Sequence, residues 1–187
     1  MVILVVIGIV PSFIVKNVVV NSYETRAVSI REVNLKNQCD ILGNQLMKEN
    51  YLREPDSDVI NGELSMLSAI YNGRILIINK DAKIIKDTYD IDVGKYALSE
   101  EVIQCFEGKS TANYDDKNAY IEMTSPITKM DSNTIEGVML VSISTSEIED
   151  SIDMLENRGN LLLSIICILV LVFGYLLAGV LVKPFSR

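Results

Sequence analysis

The strongest constraint on this fold is a run of 22 uncharged residues at positions 161–182, LLLSIICILVLVFGYLLAGVLV. An α-helix rises about 1.5 Å per residue, so this run can cross a hydrocarbon layer of roughly 30 Å. A second apolar run, MVILVVIGIVPSFIV, opens the chain and ends before Lys16. The two runs predict transmembrane helices over residues 1–20 and 161–182, which flank a polar domain over residues 21–159.

The first run is short, with only 15 residues before Lys16. It spans a bilayer if the helix continues through residues 18–20 with Lys16 reaching to the interface, or if the natural N-terminus has been trimmed. A secretory signal peptide is the alternative, although the run has no basic residue before it and no small-x-small cleavage site. Lys183 and Arg187 follow the second run and favour a cytoplasmic C-terminal end. We therefore expect a multi-pass membrane protein whose middle domain is extracytoplasmic.

The middle domain is strongly acidic, with 25 Asp and Glu against 14 Lys and Arg over residues 21–159, a net charge of −11. This charge argues against a nucleic-acid partner and against docking of the middle domain on anionic lipid. It suits a cationic ligand, a metal ion or a simple solvated surface. Asp115 and Asp116, with Asp87, Asp90 and Asp92, could offer oxygen ligands to a divalent cation. Their spacing lacks a bidentate Glu, so we predict no metal site.

The chain contains no histidine, which excludes histidine acid–base catalysis, the common zinc sites and histidine phosphotransfer within these 187 residues. It also lacks a Gly-rich nucleotide-binding motif and a nucleophile elbow. We therefore predict no catalytic residues and no cofactor for this chain. Cys39 and Cys105, the two cysteines of the middle domain, either pair or stay buried as free thiols.

Hydrophobic periodicity predicts an α+β middle domain that begins with a long helix over about residues 21–52. Its apolar stripe consists of Val28, Leu35, Cys39, Leu42 and Leu46. An exit helix over residues 145–158 leads to the second apolar run, with a brief interruption at Gly159.

The α/β core is predicted over about residues 60–144. Its expected helices are near 63–71 and 99–108, and its expected strands are near 74–79, 83–88, 110–114, 119–127 and 134–143. A five-stranded antiparallel sheet with the helices on one side is the economical packing for this set.

Several segments in this order resemble the sensor region of bacterial sensor histidine kinases, whose extracytoplasmic domain is PAS-like, of the PDC or single-Cache kind. Residues 73–88, GRILIINKDAKIIKDT, look like the family's first hairpin, with Asn79 where Asp is usual and Ala82 where Gly is usual. Residues 101–109, EVIQCFEGK, look like its helix end. Pro126-Ile127 and residues 137–144, GVMLVSIS, look like its last two strands, and Val182-Lys183-Pro184-Phe185 looks like the opening of a HAMP linker.

The resemblance implies a two-component system of a bacterial cell membrane, and WalK-type kinases of Gram-positive bacteria are a plausible subgroup. It implies a homodimer that receives an unidentified extracellular ligand or protein, with residues 183–187 starting HAMP. A kinase outside this chain would use ATP and Mg and phosphorylate a response regulator. The alternatives are the sensor region of a methyl-accepting chemoreceptor and a structural membrane-assembly protein.

The PAS-like fold also implies a pocket between the sheet and the helices over it. The candidate polar residues for its wall are Arg74, Tyr89, Tyr96, Tyr120 and Lys129. Arg74 could clasp a carboxylate, or it could simply pair with one of the many nearby acids. The tyrosines could contact a ligand or form part of the core.

A second candidate site is a stripe on the second apolar run. It consists of Ser164, Cys167, Leu171, Gly174 and Ala178, spaced by three and four residues, and all except Leu171 are small. Small residues let membrane helices approach closely, so the stripe predicts a homodimer seam. The first membrane helix could occupy the stripe instead, or the stripe could face lipid.

Overall fold

The computed structural model describes residues 2–129, 131–132 and 134–182. Four helices and five strands follow one another along these residues. Their bounds are α1 Val2–Lys48, α2 Asp58–Ile70, β1 Gly73–Asn79, β2 Ile84–Asp87, α3 Glu100–Phe106, β3 Ala112–Asp115, β4 Tyr120–Thr128, β5 Ile135–Ser144 and α4 Ser146–Val182. The predicted HAMP start at residues 183–187 lies outside the described residues.

Helix α1 joins the first apolar run and the predicted long helix into one element of 47 residues. All five residues of the predicted stripe are buried, from Val28 to Leu46. The helix ends at Lys48, four residues before the predicted end, because Asn50 adopts a left-handed backbone with φ of 55°. The amide of Tyr51 then donates to the carbonyl of Leu46 at 2.9 Å, which closes the last turn.

Helix α2 begins five residues earlier than predicted, because Ser57 caps it. The hydroxyl oxygen of Ser57 accepts a hydrogen bond from the amide of Ile60, and Asp58 carries negative charge in the first turn. The helix buries Ile60, Leu64 and Leu67.

The five strands form one antiparallel sheet in the order β2-β1-β5-β4-β3. The two long central pairings are β1 with β5 and β4 with β5. A β-bulge between Ile77 and Ile78 shifts the register of β2, so that Leu76 lies opposite Asp87. The predicted α+β class and five-stranded antiparallel sheet are confirmed.

Helices cover both faces of the sheet, which corrects the expectation of helices on one side. On one face, Leu76, Ile78 and Val138 pack with Val102 and Cys105 of α3. Side chains alternate along a strand, so Ile75, Ile77, Met139 and Val141 point to the opposite face, where they are also buried. The remaining buried apolar stripes belong to α1 and α2, so these two helices form the second layer.

Helix α4 runs from Ser146 to Val182 without a break, so the predicted interruption at Gly159 is wrong. A glycine inside a helix costs only about 1 kcal/mol, which the long flanking helical segments outweigh. Among the described residues, one helix is long and apolar enough to cross a membrane, over Ser146–Leu176. The side chains of residues 2–8 lie outside the described set, and the multi-pass arrangement stays a prediction.

The chain divides into two compact units. One consists of residues 1–27 and 148–187, and the other of residues 28–147. Cys39 and Cys105 are both buried and free in the second unit, so they do not pair. Burial raises the pKa of the Cys39 thiol to about 12, with a smaller contribution from the charge of Asp40.

Candidate functional site

An ion-pair cluster lies at the hairpin edge of the sheet, centred on Arg74 of β1. Its guanidinium grips the carboxylate of Asp87, with Nε 2.9 Å from Oδ1 and a terminal nitrogen 2.5 Å from Oδ2. The same terminal nitrogen is 2.6 Å from a carboxylate oxygen of Asp92. We call Arg74, Asp87, Asp92 and Lys95 the Arg74 cluster. Such a fork of two parallel hydrogen bonds is strong and fixes orientation.

Asp87 organises the loop that follows β2. Its buried carboxylate accepts backbone N–H bonds from Tyr89, Ile91 and Asp92, each at 2.9 Å. Burial alone would raise the pKa of Asp87, but the hydrogen bonds from Arg74 and from these three amides outweigh it and hold the pKa well below its usual range. Asp87 is therefore ionised at neutral pH, and it fixes the start of the loop.

The outer part of this loop is held more loosely. Lys95 and Arg74 both donate to Asp92 and lower its pKa, with the Lys95 contribution larger. The side chain of Asp92 is 27% exposed and its two partners are partly exposed as well, whereas the side chain of Asp87 is fully buried. Tyr89 is half exposed, and its ring lies under the Arg74 guanidinium at 5.9 Å. The loop over residues 88–95 thus has one buried anchor and one accessible anchor.

A polar row continues from Arg74 across the sheet. Strand register places Arg74 opposite Ser142 and Ser142 opposite Glu122, all on the face that carries Leu76. The Ser142 hydroxyl donates to a Glu122 carboxylate oxygen at 3.2 Å. We call Arg74, Ser142 and Glu122 the polar row. Helix α3 has only seven residues and packs on the apolar half of this face, so the polar row keeps partial solvent exposure.

The structure brings together two of the five predicted ligand-binding residues, Arg74 and Tyr89. Tyr96 lies at the end of the same loop and is 67% exposed. Tyr120 pairs with Ser144 at the first residue of β4, two positions before Glu122 on the same face, and its side chain hydrogen-bonds to Asp115. Lys129 lies beyond the other end of β4, at a separate surface depression with Lys48. The five residues therefore do not converge on one pocket, and a ligand contact for each stays a prediction.

What the polar row can bind depends on which of its groups already have a hydrogen-bond or ion-pair partner. The Arg74 guanidinium is engaged by two carboxylates, so an incoming anion has to displace Asp92, the accessible one. Glu122 has only the Ser142 hydroxyl as a described partner, so it can accept from a hydroxyl or ammonium donor. Within the described residues, no three His, Cys, Asp or Glu side chains are placed to hold a metal ion.

Arg31 is a junction residue that sequence reasoning missed. Its terminal nitrogen is 2.9 Å from a carboxylate oxygen of Glu147 in the first turn of α4, and its guanidinium lies 5.3 Å from the Tyr71 ring centroid after α2. Its Nε is buried and donates to no acceptor among the described residues. Arg31 thus links three helices of the second unit, a contact between residues 116 positions apart that no local pattern signals.

The stripe on the second apolar run has a mixed environment. Gly174 is buried within the chain, Cys167 is half-buried, and Ser164 and Leu171 are exposed. The Ser164 hydroxyl donates to the backbone carbonyl of Asn160 at 2.9 Å. The side chain of Ala178 lies outside the described residues. The seam therefore stays a prediction.

No protein-family model and no curated protein matches this chain. Similar solved structures include the sensor domain of the histidine kinase DctB from V. cholerae, at 14% identity and a TM-score of 0.47, covering 72% of this chain and 59% of that one. The sensory domain of the Campylobacter jejuni chemoreceptor Tlp3 with isoleucine bound is 14% identical, with a TM-score of 0.46 and coverages of 71% and 59%. A domain of a sensory box/GGDEF family protein from Vibrio parahaemolyticus is 12% identical, with a TM-score of 0.46 and coverages of 67% and 57%. This chain spans less than two thirds of the length of each of these structures.

Proposed function

We propose that this chain is the signal-sensing and transmembrane signalling region of a bacterial sensor histidine kinase in a two-component system. Its α+β domain would lie outside the cell membrane, residues 183–187 would start a HAMP linker, and the kinase would lie beyond that linker. The observation that carries the proposal is the continuity of α4. This one helix starts two residues after β5, the central strand of the sheet, and includes the whole uncharged run up to Val182.

Reception is assigned to the polar row and to the loop over residues 88–95. These groups are polar and partly exposed, with Arg74 bonded to Asp92 of the loop and Ser142 bonded to Glu122, whereas the centre of that sheet face is apolar and packs against α3. A ligand or protein that competes with Asp92 for Arg74 would move the loop while the buried Asp87 holds its base. We infer that a stimulus acts at the accessible anchor.

Transmission is assigned to α1 and α4. The Arg31–Glu147 pair ties the first turn of α4 to α1, so a shift of β5 relative to α1 reaches both helices at once. A helix is stiff along its axis, and such a shift would pass through the membrane as a piston, tilt or rotation.

The proposal includes a homodimer whose seam involves Ser164, Cys167, Leu171, Gly174 and Ala178. ATP, Mg and the response regulator would bind only to the kinase part. A WalK-type kinase is the proposed subgroup. A methyl-accepting chemoreceptor has the same support from these helices, and the residues after Arg187 distinguish the two. A kinase would continue with a histidine-containing dimerisation helix, and a chemoreceptor with a long heptad rod.

The test needs no identified stimulus. Residues 1–187 are fused to the HAMP and kinase parts of a characterised receptor, and autophosphorylation is measured in membrane vesicles. Asp92→Ala releases the accessible anchor, and we expect it to change basal autophosphorylation at least twofold. Three glycines inserted after Asn160 should abolish the difference between Asp92→Ala and its parent, because they interrupt α4.

Two insertions control for chain lengthening. Seven alanines after Asn160 restore the helix face to within about 20° and should preserve the difference. Three glycines between Asp116 and Lys117, in an exposed turn, should preserve it as well. An unchanged difference with the glycine insertion in α4 would contradict helix-borne transmission. Equal activity of Asp92→Ala and its parent would contradict reception at the loop.

A further inference from the structure

A groove of about 460 Å³ lies between α1 and α4 within the unit of residues 1–27 and 148–187. Its walls are mostly aliphatic. The side chains that form them include Pro11, Val15 and Val19 of α1 and Leu155, Leu162 and Ile166 of α4. Such a lining suits a hydrocarbon chain.

Two cations, Lys16 and Arg158, also line this groove, and none of its described lining residues is acidic. In the described part of the chain, no carboxylate lies within 4.0 Å of either cation, since neither takes part in any of the five salt bridges found there. The Lys16 ammonium instead donates to the neutral side-chain oxygen of Asn160 at 2.6 Å. The groove therefore carries two positive charges that its own residues leave uncompensated.

Gly159 fixes the depth of the Lys16 charge. A Cβ at Gly159 would lie 2.9 Å from Cγ of Lys16, so the lysine stem lies directly against the bare α4 backbone. Its ammonium is thereby held beside Asn160, immediately before the uncharged run that begins at Leu161. If residues 161–182 span the membrane as proposed, this is the level at which headgroups give way to hydrocarbon. From Lys16 down to Pro11 the groove continues for about 7.5 Å, at 1.5 Å per residue.

We propose that the groove binds one anionic glycerophospholipid of the outer leaflet. Its phosphate would lie between Lys16 and Arg158, and an acyl chain would follow the aliphatic walls toward Pro11 and Ile166. Charge complementarity selects the headgroup, because a zwitterionic lipid offers its phosphate together with a compensating cation. The inference rests on the membrane-spanning part of the proposed function and not on sensing or kinase output.

The test uses the full chain purified in detergent and titrated with dioleoylphosphatidylglycerol or dioleoylphosphatidylcholine, with bound lipid counted by native mass spectrometry. We expect one phosphatidylglycerol to bind in clear preference to phosphatidylcholine. Each cation near a membrane surface is worth about fivefold in affinity, so Lys16→Ala combined with Arg158→Ala should weaken phosphatidylglycerol binding about thirtyfold.

Two matched variants separate charge from folding. Arg26→Ala with Lys36→Ala removes two exposed α1 charges outside the groove and should leave the affinity within about twofold of the parent. Lys16→Arg with Arg158→Lys keeps both charges and should retain the preference.

Three results would overturn the proposal. They are equal affinity for the two lipids, equal loss in the Arg26/Lys36 variant, and a lipid-free dimer in which a second copy fills the groove. A chain that does not bind detergent at all would refute the membrane-spanning proposal itself. A detergent-bound chain without lipid preference would refute only the lipid site.

Discussion

Replacing Asp87 by alanine should release the loop over residues 88–95 and lower the free energy of unfolding of the α+β unit. The Asp87 carboxylate accepts five hydrogen bonds, two from Arg74 and three from backbone amides. In Asp87→Ala the three amides lose their acceptor, at about 1 kcal/mol each where water can partly replace it. Arg74 keeps Asp92, so no charge is stranded. We therefore expect a loss of about 3 kcal/mol, at the lower end of the cost of breaking a buried ion pair.

The assay is thermal unfolding of the full chain in detergent, together with hydrogen exchange at the three amides. For a unit of this size 1 kcal/mol corresponds to about 4 °C, so Tm should fall by about 12 °C at pH 7. The amides of Tyr89, Ile91 and Asp92 should lose protection. Asp90→Asn is the matched control, because the Asp90 side chain is 75% exposed, pairs with Lys86 at 3.6 Å, and asparagine tolerates the left-handed backbone of Asp90 at φ 55°. We expect it to change stability by less than about 0.5 kcal/mol.

The stabilisation that Asp87 provides should also depend on pH. The folded-state pKa of Asp87 is lowered, so its contribution is present above the ordinary carboxyl pKa near 4 and is lost as pH falls through the folded-state value. The difference in Tm between the parent and Asp87→Ala should therefore be constant from pH 5 to 8 and should narrow below about pH 4. If Asp87→Ala and Asp90→Asn melted within 2 °C of each other at pH 7, the loop-anchor role of Asp87 would be refuted.

Two further predictions concern packing and burial. Gly73→Ala would place a Cβ onto the Ser142 carbonyl oxygen and should lower the free energy of unfolding by at least about 2 kcal/mol, whereas the new Cβ in Gly62→Ala meets nothing within 4 Å inside α2 and should raise it by about 0.5–1 kcal/mol. Thermal unfolding should therefore show Tm shifts of opposite sign, and an equal loss in both variants would contradict the packing argument. Cys39 and Cys105 should resist N-ethylmaleimide at pH 8 in the folded chain and react once guanidinium unfolds it, because burial raises both thiol pKa values; rapid labelling of the folded chain, detected by mass, would show that the core opens.

The fold was predictable where its signal is local. The apolar stripe of α1 and the five strands depend on patterns among residues a few positions apart, and every strand lies within two residues of its predicted bounds. The start of α2 was missed because the cap at Ser57 lies in a segment that Pro55 marks as a loop. The missing break at Gly159 has the same kind of cause. A single glycine gives a weak local signal, and the helices on either side decide the outcome.

The Arg74 cluster could not be predicted from the sequence because it depends on a β-bulge. Without the bulge, the pairing of Ile78 with Ile84 would continue to Leu76 with Lys86, and Asp87 would point to the other face. The bulge between Ile77 and Ile78 shifts the register by one residue and brings Asp87 to the face of Arg74. Without this one-residue shift, Lys86 would stand in place of Asp87 on the face of Arg74. The sequence shows that several acidic residues lie near Arg74, but it does not show which of them pairs with Arg74.

The two carboxylates that bind Arg74 differ in burial, and in the proposed sensor this difference decides which of them a stimulus could displace. Taking Arg74 away from Asp87 would leave a fully buried carboxylate without its charged partner, a cost of several kcal/mol that a weak ligand cannot supply. Displacing Asp92 costs much less, since its partners are partly exposed and Lys95 stays available to it. A ligand anion that takes the place of Asp92 keeps Arg74 neutralised and frees the outer loop. Movement is then confined to the segment beyond Asp87, while β2 and the sheet keep their register. In the proposed sensor, Ser142 of β5, which lies opposite Arg74, offers one route from this loop to α4, the helix that follows β5.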